Sequence, residues 1–186
     1  MKTGISRLAI LLVAIVLGVS AASQEDDIFS FIPQGGRSLL EHLRIEGLPA
    51  DLQSALQSGG GDAAYWQGVL VTAASNTPQI AALDEWQMQT LAQYLAVRAP
   101  LNIGADLPRD GRDMSLALCQ SCHIITVVIT QDRTREAWLG TMNSPSHIEI
   151  ETTPEERVLM AEYLMVNAGI SIDLVPPALR AGGASY

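Results

Sequence analysis

The chain has 186 residues and a mass of 19.9 kDa, enough for one domain of ordinary size or two small ones. Its hydrophobic fraction of 48% is too high for a disordered chain. Its 20 acidic and 11 basic residues give a net charge of −9, which argues against a nucleic-acid binder. Two cysteines are too few for a framework of several disulfides.

The first 21 residues have the pattern of a secretory signal peptide. Lys2 and Arg7 precede an uncharged apolar run that ends in small residues, so cleavage is expected after Ala21. The apolar run is shorter than the roughly 20 residues of a membrane-spanning helix, and a membrane anchor is the alternative if the peptide stays uncleaved. Cleavage leaves nine arginines, no lysine and 20 acidic residues, a net charge of −11. Export to the periplasm is expected.

Residues 35–100 are predicted to form a small helical domain. Its last helix is expected over residues 83–95, and Gly59-Gly60-Gly61 is expected to form a loop before it. Residues 99–107, which begin with Ala99-Pro100, are interpreted as the linker to a second domain. The chain is therefore expected to have two helical units in succession.

A C-x-x-C-H motif at Cys119, Cys122 and His123 predicts covalent attachment of one c-type haem. Each thiol adds to one vinyl group, and the two-residue spacing lets both sulfurs reach the same porphyrin edge, with His123 as the proximal iron ligand. A thioredoxin-type pair would need a parallel sheet, which the sequence does not suggest. A zinc site would need more ligands than His42 and His147 supply, and a disulfide between the two cysteines would close a strained small ring.

The segments on both sides of the motif predict helices. Asp110 or Asp113 is expected to cap a helix that ends at the cysteines. Residues 124–129 are rich in β-branched side chains and are expected to lie extended against the porphyrin. Residues 134–142 are expected to form a helix with Trp138 and Met142 on one face.

A last helix is predicted to begin after a proline-containing loop over residues 143–153. Thr153 is its expected N-cap and Pro154 its first residue, with two glutamates in the first turn. Gly169 is expected to end it. Residues 171–186 are interpreted as a tail that lies over the surface.

This order of helices around C-x-x-C-H, with Ala161-Glu162-Tyr163-Leu164 in the last helix, resembles the class I cytochrome c fold. It looks most like the short single-haem cytochrome domains that accompany periplasmic dehydrogenases. The resemblance covers residues 107–170 and implies an all-α domain with one covalent haem c. It also implies a distal iron ligand, usually a methionine and less often a histidine.

Met142 and His147 are the two candidates for that distal ligand. Met160 and Met165 lie inside the last helix and are interpreted as packing residues. The choice affects the redox potential, because a thioether ligand raises it relative to two imidazoles. The sequence leaves this choice open.

The first half of the chain resembles a copy of the same domain that has lost its haem. Gly36-Arg37 parallels Gly111-Arg112, Tyr65-Trp66-Gln67-Gly68 parallels Ala137-Trp138-Leu139-Gly140, and residues 83–95 parallel the last helix. Counted from the shared Gly-Arg, the three attachment positions fall on Arg44, Gly47 and Leu48, which cannot hold a haem. The alternative is that two helical hairpins share a few glycines and aromatic residues by chance.

The predicted function is electron transfer in the periplasm, without a catalytic site of the protein's own. A haem with both axial positions filled changes its oxidation state without binding a substrate. The expected partner is a redox protein with a basic patch, such as a periplasmic dehydrogenase or a terminal oxidase or reductase. The alternative is a haem sensor or small-ligand binder with an open sixth position. Sulfur chemistry at the haem is disfavoured because attachment consumes both cysteines.

Overall fold

The computed structural model describes residues 28–180, and all regular structure in this range is helical. The all-α class predicted from the sequence is therefore confirmed. The predicted signal peptide, residues 1–21, and the last six residues of the predicted tail lie outside the described residues. Within residues 28–180, no helix is long and apolar enough to cross a membrane.

The described residues form nine α-helices. In chain order these are α1 (Gly36–Glu46), α2 (Ala50–Ser58), α3 (Ala63–Ala74), α4 (Pro78–Ala81), α5 (Glu85–Arg98), α6 (Gly111–Leu118), α7 (Ile125–Ile129), α8 (Arg135–Met142) and α9 (Pro154–Asn167). A short 3-10 turn lies between α6 and α7 at Cys119–Ser121, and two more come after α9 at Ile172–Leu174 and Pro177–Leu179. Gly59, Gly60 and Gly61 all have positive φ, which agrees with the predicted glycine loop.

The predicted helix starts around the motif are confirmed. Asp110 is the N-cap of α6, because its Oδ1 accepts the backbone N–H of Asp113 at 2.9 Å, and Asp113 accepts the N–H of Asp110 in return. Thr153 and Glu156 make the same reciprocal pair at the start of α9. Thr134 caps α8, one residue before its first helical position.

The expectation that residues 124–129 lie extended was wrong, because they form helix α7. The backbone N–H of Val127 bonds the carbonyl of Ile124 at 2.9 Å, and that of Thr130 bonds the carbonyl of Thr126 at 3.2 Å. The turn buries Ile125 and Ile129 while its backbone groups stay paired locally. Here burial outweighs the weak β-preference of the branched side chains.

Helices α5 and α9 pack against each other at the centre of the fold. In the first half α1 and α3 pack on α5, and in the second half α6 and α8 pack on α9. The buried side chains of both halves form one continuous hydrophobic cluster. The linker takes part, since Leu101 and Leu107 are each only 5% exposed.

The two halves make the same close helix crossing. A Cβ added to Gly36 would lie 2.3 Å from Cβ of Tyr94, and a Cβ added to Gly111 would lie 2.3 Å from Cβ of Tyr163. Glycine at these two positions lets α1 approach α5 and α6 approach α9. The residues matched by the sequence repeat thus occupy matching contacts.

The two tyrosines also connect the halves reciprocally. The hydroxyl of Tyr94 donates to the carbonyl of Pro108 at 2.9 Å, and the hydroxyl of Tyr163 donates to the carbonyl of Pro33 at 2.6 Å. Each proline lies three residues before the crossing glycine of the other half. Burial raises the pKa of both tyrosines above their usual value, so both remain donors at neutral pH.

One carboxylate serves two helix N-termini across the halves. The N-cap position of α1 is Gly35, which has no side chain, and Oδ2 of Asp110 accepts the N–H of Arg37 there at 2.8 Å. A Cβ at Gly35 would lie 1.9 Å from this oxygen, so glycine leaves room for it. Asp110 therefore caps both α1 and α6, and its burial raises its pKa above the usual value.

Candidate functional site

A mostly apolar crevice of about 240 Å³ opens beside the C-x-x-C-H motif. Its walls come from the end of α6, from α7 and α8, from the loop over residues 143–153, and from α9. All five residues singled out in the sequence border it, namely Cys119, Cys122, His123, Met142 and His147. The fold thus brings residues from three separate segments to one place.

The motif follows directly on α6 in a tight 3-10 turn. Cys119 is the C-cap of α6, and its carbonyl accepts the backbone N–H groups of Cys122 at 3.3 Å and of His123 at 2.9 Å. Both thiols are free, Cys119 partly buried and Cys122 exposed. Burial raises the pKa of the Cys119 thiol to about 11. The turn presents both thiols and one imidazole at the crevice.

The two histidines at the crevice approach each other. The ring centroids of His123 and His147 are 6.1 Å apart, and their planes differ by 21°. His147 is 24 positions after His123, in the loop between α8 and α9. Only the tertiary structure could show this proximity.

The loop that carries His147 has internal support. Nδ1 of His147 lies 2.9 Å from Oγ of Ser144 and 3.1 Å from Oγ of Ser146. Arg157 on α9 braces both ends of the loop, with Nε donating to Oγ1 of Thr152 at 2.9 Å and Nη1 donating to Oδ1 of Asn143 at 3.1 Å. The imidazole is therefore held by the loop and the loop by α9.

Met142, the other distal candidate, is the last residue of α8. It is 9% exposed, and Trp138 one turn earlier is 3% exposed, so the predicted common face of these two residues is buried. Met160 is buried and also borders the crevice, while Met165 packs against the core. Both methionines have the packing environment expected of them, although the position of Met160 at the crevice was not foreseen.

Sequence reasoning gave no role at the crevice to two arginines or to the indole of Trp138. Trp138 lines the crevice, and its Nε1 is buried with no hydrogen-bond partner among the described residues, as is Nε1 of Trp66 in the first half. The guanidinium of Arg133 lies 5.2 Å from the centre of the Trp138 ring, and Arg157 also lines the crevice. Two of the nine arginines outside the predicted signal peptide therefore lie at the crevice. The composition shows how many arginines the chain has but not where they lie in the fold.

These residues fit a haem. The porphyrin is a large apolar disc with two carboxylates, and the crevice offers apolar walls and two guanidinium groups. Two thiols and two imidazoles border the same space. Within residues 28–180, no group of three or more His, Cys, Asp or Glu side chains is placed to hold a bare metal ion.

In the first half, the positions that match Cys119, Cys122 and His123 take part in packing and hydrogen bonds of that half. Arg44, at the position equivalent to Cys119, donates from Nη1 to the carbonyls of Ile103 and Ala105. Helix α2 contributes Leu52 and Leu56, which are 1% and 0% exposed, to the interior of this half. Leucine side chains therefore occupy the core of the half that lacks the attachment residues.

Comparison with known proteins identifies no relative of this chain. No protein-family model, no curated protein and no solved structure matches it. The function is therefore inferred from the crevice and the residues around it.

Proposed function

We propose that this protein transfers electrons through one c-type haem, attached covalently by Cys119 and Cys122 and bound at the iron by His123. The observation that carries the proposal is the position of the C-x-x-C-H motif at an apolar crevice that a second imidazole faces. Neither a thiol redox pair nor a zinc site accounts for an apolar crevice of this kind beside the cysteines.

The residues of the crevice have separate tasks in this proposal. A bound haem would supply the exchange of one electron between ferrous and ferric iron. The two cysteines would anchor the haem. The apolar walls would exclude water and so limit the solvent rearrangement that accompanies a change of charge at the iron. The guanidinium groups of Arg133 and Arg157 line the crevice and would be available to the carboxylates of a bound haem.

The proposed setting is the periplasm, where the protein acts as a free carrier or as the cytochrome subunit of a dehydrogenase. After cleavage of the predicted signal peptide, the net charge of −11 favours a redox partner with a basic docking patch. The rate of electron transfer to such a partner should fall as ionic strength rises, because screening weakens the attraction. A rate that does not depend on salt would refute this electrostatic steering.

The proposal is tested by producing the full chain together with a haem-maturation system. We expect one haem to remain attached after denaturation, visible as an added mass and in the spectrum of the denatured protein. The double variant Cys119→Ser/Cys122→Ser should lose all covalent haem and keep its helical far-ultraviolet spectrum. Wild-type protein without covalent haem would contradict the proposal. A high-spin iron that takes up carbon monoxide would instead support the alternative of a haem sensor with an open sixth position.

A further inference from the structure

We propose that His147 is the distal iron ligand and that Ser144 and Ser146 are the residues that position it. This inference rests on the proposed haem attachment and decides between two candidates that the sequence left open. It makes the iron centre one with two imidazole ligands, unlike the methionine ligation that the resemblance favours.

The separation of the two imidazoles matches that of rings which bind one metal from opposite sides. With metal–nitrogen bonds of about 2 Å on each side, the ring centroids of such a pair are about 6 Å apart. The centroids of His123 and His147 are 6.1 Å apart, and the rings are stacked with their planes 21° apart. The spacing therefore suits one iron between them, and binding it requires each ring to turn its Nε2 toward the metal.

The hydrogen bonds of His147 leave the correct nitrogen for iron. A histidine that binds a metal through Nε2 commonly donates its Nδ1–H to a nearby acceptor, which fixes the tautomer and the ring orientation. Oγ of Ser144 at 2.9 Å and Oγ of Ser146 at 3.1 Å lie within hydrogen-bond distance of Nδ1 and can accept from it in the tautomer that carries the proton there. With the proton on Nδ1, the lone pair of Nε2 is available as a ligand.

The packing around Met142 explains why a methionine is found there without a role as an iron ligand. It lies at the end of a helix, belongs to the hydrophobic core and is buried beside Trp138. A thioether in such a place fills space between apolar neighbours. His147 is a half-buried polar group that borders the crevice, and two serine hydroxyls hold its Nδ1, so its ring is placed at the site without being part of the hydrophobic core.

The test compares absorption and electron paramagnetic resonance spectra of covalently loaded wild type and four variants. We expect wild type to be low-spin, without the weak red band of sulfur-to-iron charge transfer, and to bind no carbon monoxide at neutral pH. His147→Ala should become high-spin and bind carbon monoxide, while Met142→Leu should keep the wild-type spectrum. His147→Met should gain the red band and a higher redox potential. His42→Ala is the matched control, because His42 is exposed on α1 and should leave every spectrum unchanged.

The positioning role of the serines has its own measurement. Ser144→Ala/Ser146→Ala should keep the haem and His147 but bind carbon monoxide at neutral pH, which wild type should not, because the ring is no longer held. Restoring one hydroxyl with Ser144→Thr in the Ser146→Ala background should reduce this binding. A double variant as closed to carbon monoxide as wild type would refute the positioning role.

The results separate this inference from the proposed function. If Met142→Leu turns high-spin and His147→Ala does not, Met142 is the ligand and the inference is overturned, while haem attachment stands. If wild type itself is high-spin, both candidates are excluded and the sensor alternative gains support. If no haem is attached at all, the proposed function fails before the ligand can be tested.

Discussion

Asp110 offers the sharpest test of how the two halves depend on each other. Its Oδ1 accepts the N–H of Asp113 in its own helix at 2.9 Å, and its Oδ2 accepts the N–H of Arg37 in the other half at 2.8 Å. Asp84 is a matched N-cap with the same kind of capping box, but its carboxylate serves only α5. The variants Asp110→Ala and Asp84→Ala therefore differ in the hydrogen bond between the halves and in burial, since Asp110 is buried and Asp84 is exposed.

The expected loss of stability follows from the number of helix ends that each carboxylate serves. Loss of a good N-cap costs about 1 kcal/mol, so Asp84→Ala should lower the free energy of unfolding by about that amount. Asp110→Ala removes two caps and should lower it by about 2 kcal/mol. For a chain of this size, 2 kcal/mol corresponds to a fall in Tm of about 4 to 8 °C.

Equilibrium unfolding in urea, followed by far-ultraviolet circular dichroism, measures this difference. The two variants should share the wild-type dependence on urea concentration and differ only in midpoint. An equal loss for Asp110→Ala and Asp84→Ala would refute the reasoning, because the bond from Arg37 would then contribute nothing. A changed dependence on urea for Asp110→Ala alone would show that the halves had begun to unfold separately.

Three further results are expected. Gly111→Ala should lower the free energy of unfolding by about 1 to 3 kcal/mol in the same assay, because the added Cβ would lie 2.3 Å from Cβ of Tyr163. Gly140→Ala has open space around it and should raise the free energy of unfolding by about 1 kcal/mol. Equal effects of the two variants would contradict the close helix crossing. Tyr163→Phe should cost about 1 kcal/mol through the lost bond to the other half, and no change in urea midpoint would argue against that bond. Burial raises the folded-state pKa of Asp110 above its usual value, so protonation of this carboxyl adds stability that is fully present below about pH 4 and is lost as pH rises through the folded value, whereas the two caps remain. Asp110→Asn should not show this pH-dependent loss of stability. If the urea midpoints of the variant and wild type depend on pH in the same way, the predicted effect of Asp110 is refuted.

The sequence correctly predicted those helix starts that are fixed by a contact between residues close together in the chain. The starts of α6, α8 and α9 follow from Asp110, Thr134 and Thr153, since each side chain bonds a backbone N–H only three residues further on. The C-x-x-C-H motif is recognisable because it has a fixed spacing, and the haem attachment that it predicts stays a prediction. Helix α7 was misjudged, because burial decided its conformation and β-branched composition pointed the other way.

Contacts between distant segments could not be read from the sequence. The bond from Arg37 to Asp110 joins residues 73 positions apart, and the approach of His147 to His123 depends on how the loop after α8 folds back. The repeat showed that Tyr94 and Tyr163 occupy matching places, but their exchange of hydrogen bonds appears only in the fold. Arg133 and Arg157, which line the crevice, have no spacing that marks them.

Helix α9 is shared between the crevice and the first half. Met160 and Leu164 border the crevice. Other residues of α9 contact α5, where Nδ2 of Asn167 donates to Oγ1 of Thr90 at 2.8 Å and Nε2 of Gln93 donates to Glu162 at 3.3 Å. Thermodynamic coupling between the half without attachment residues and the crevice therefore has a route through a single helix. A substitution on α5 can shift the properties of whatever the crevice holds without touching one of its walls, so the first half is a place where evolution can adjust the site remotely.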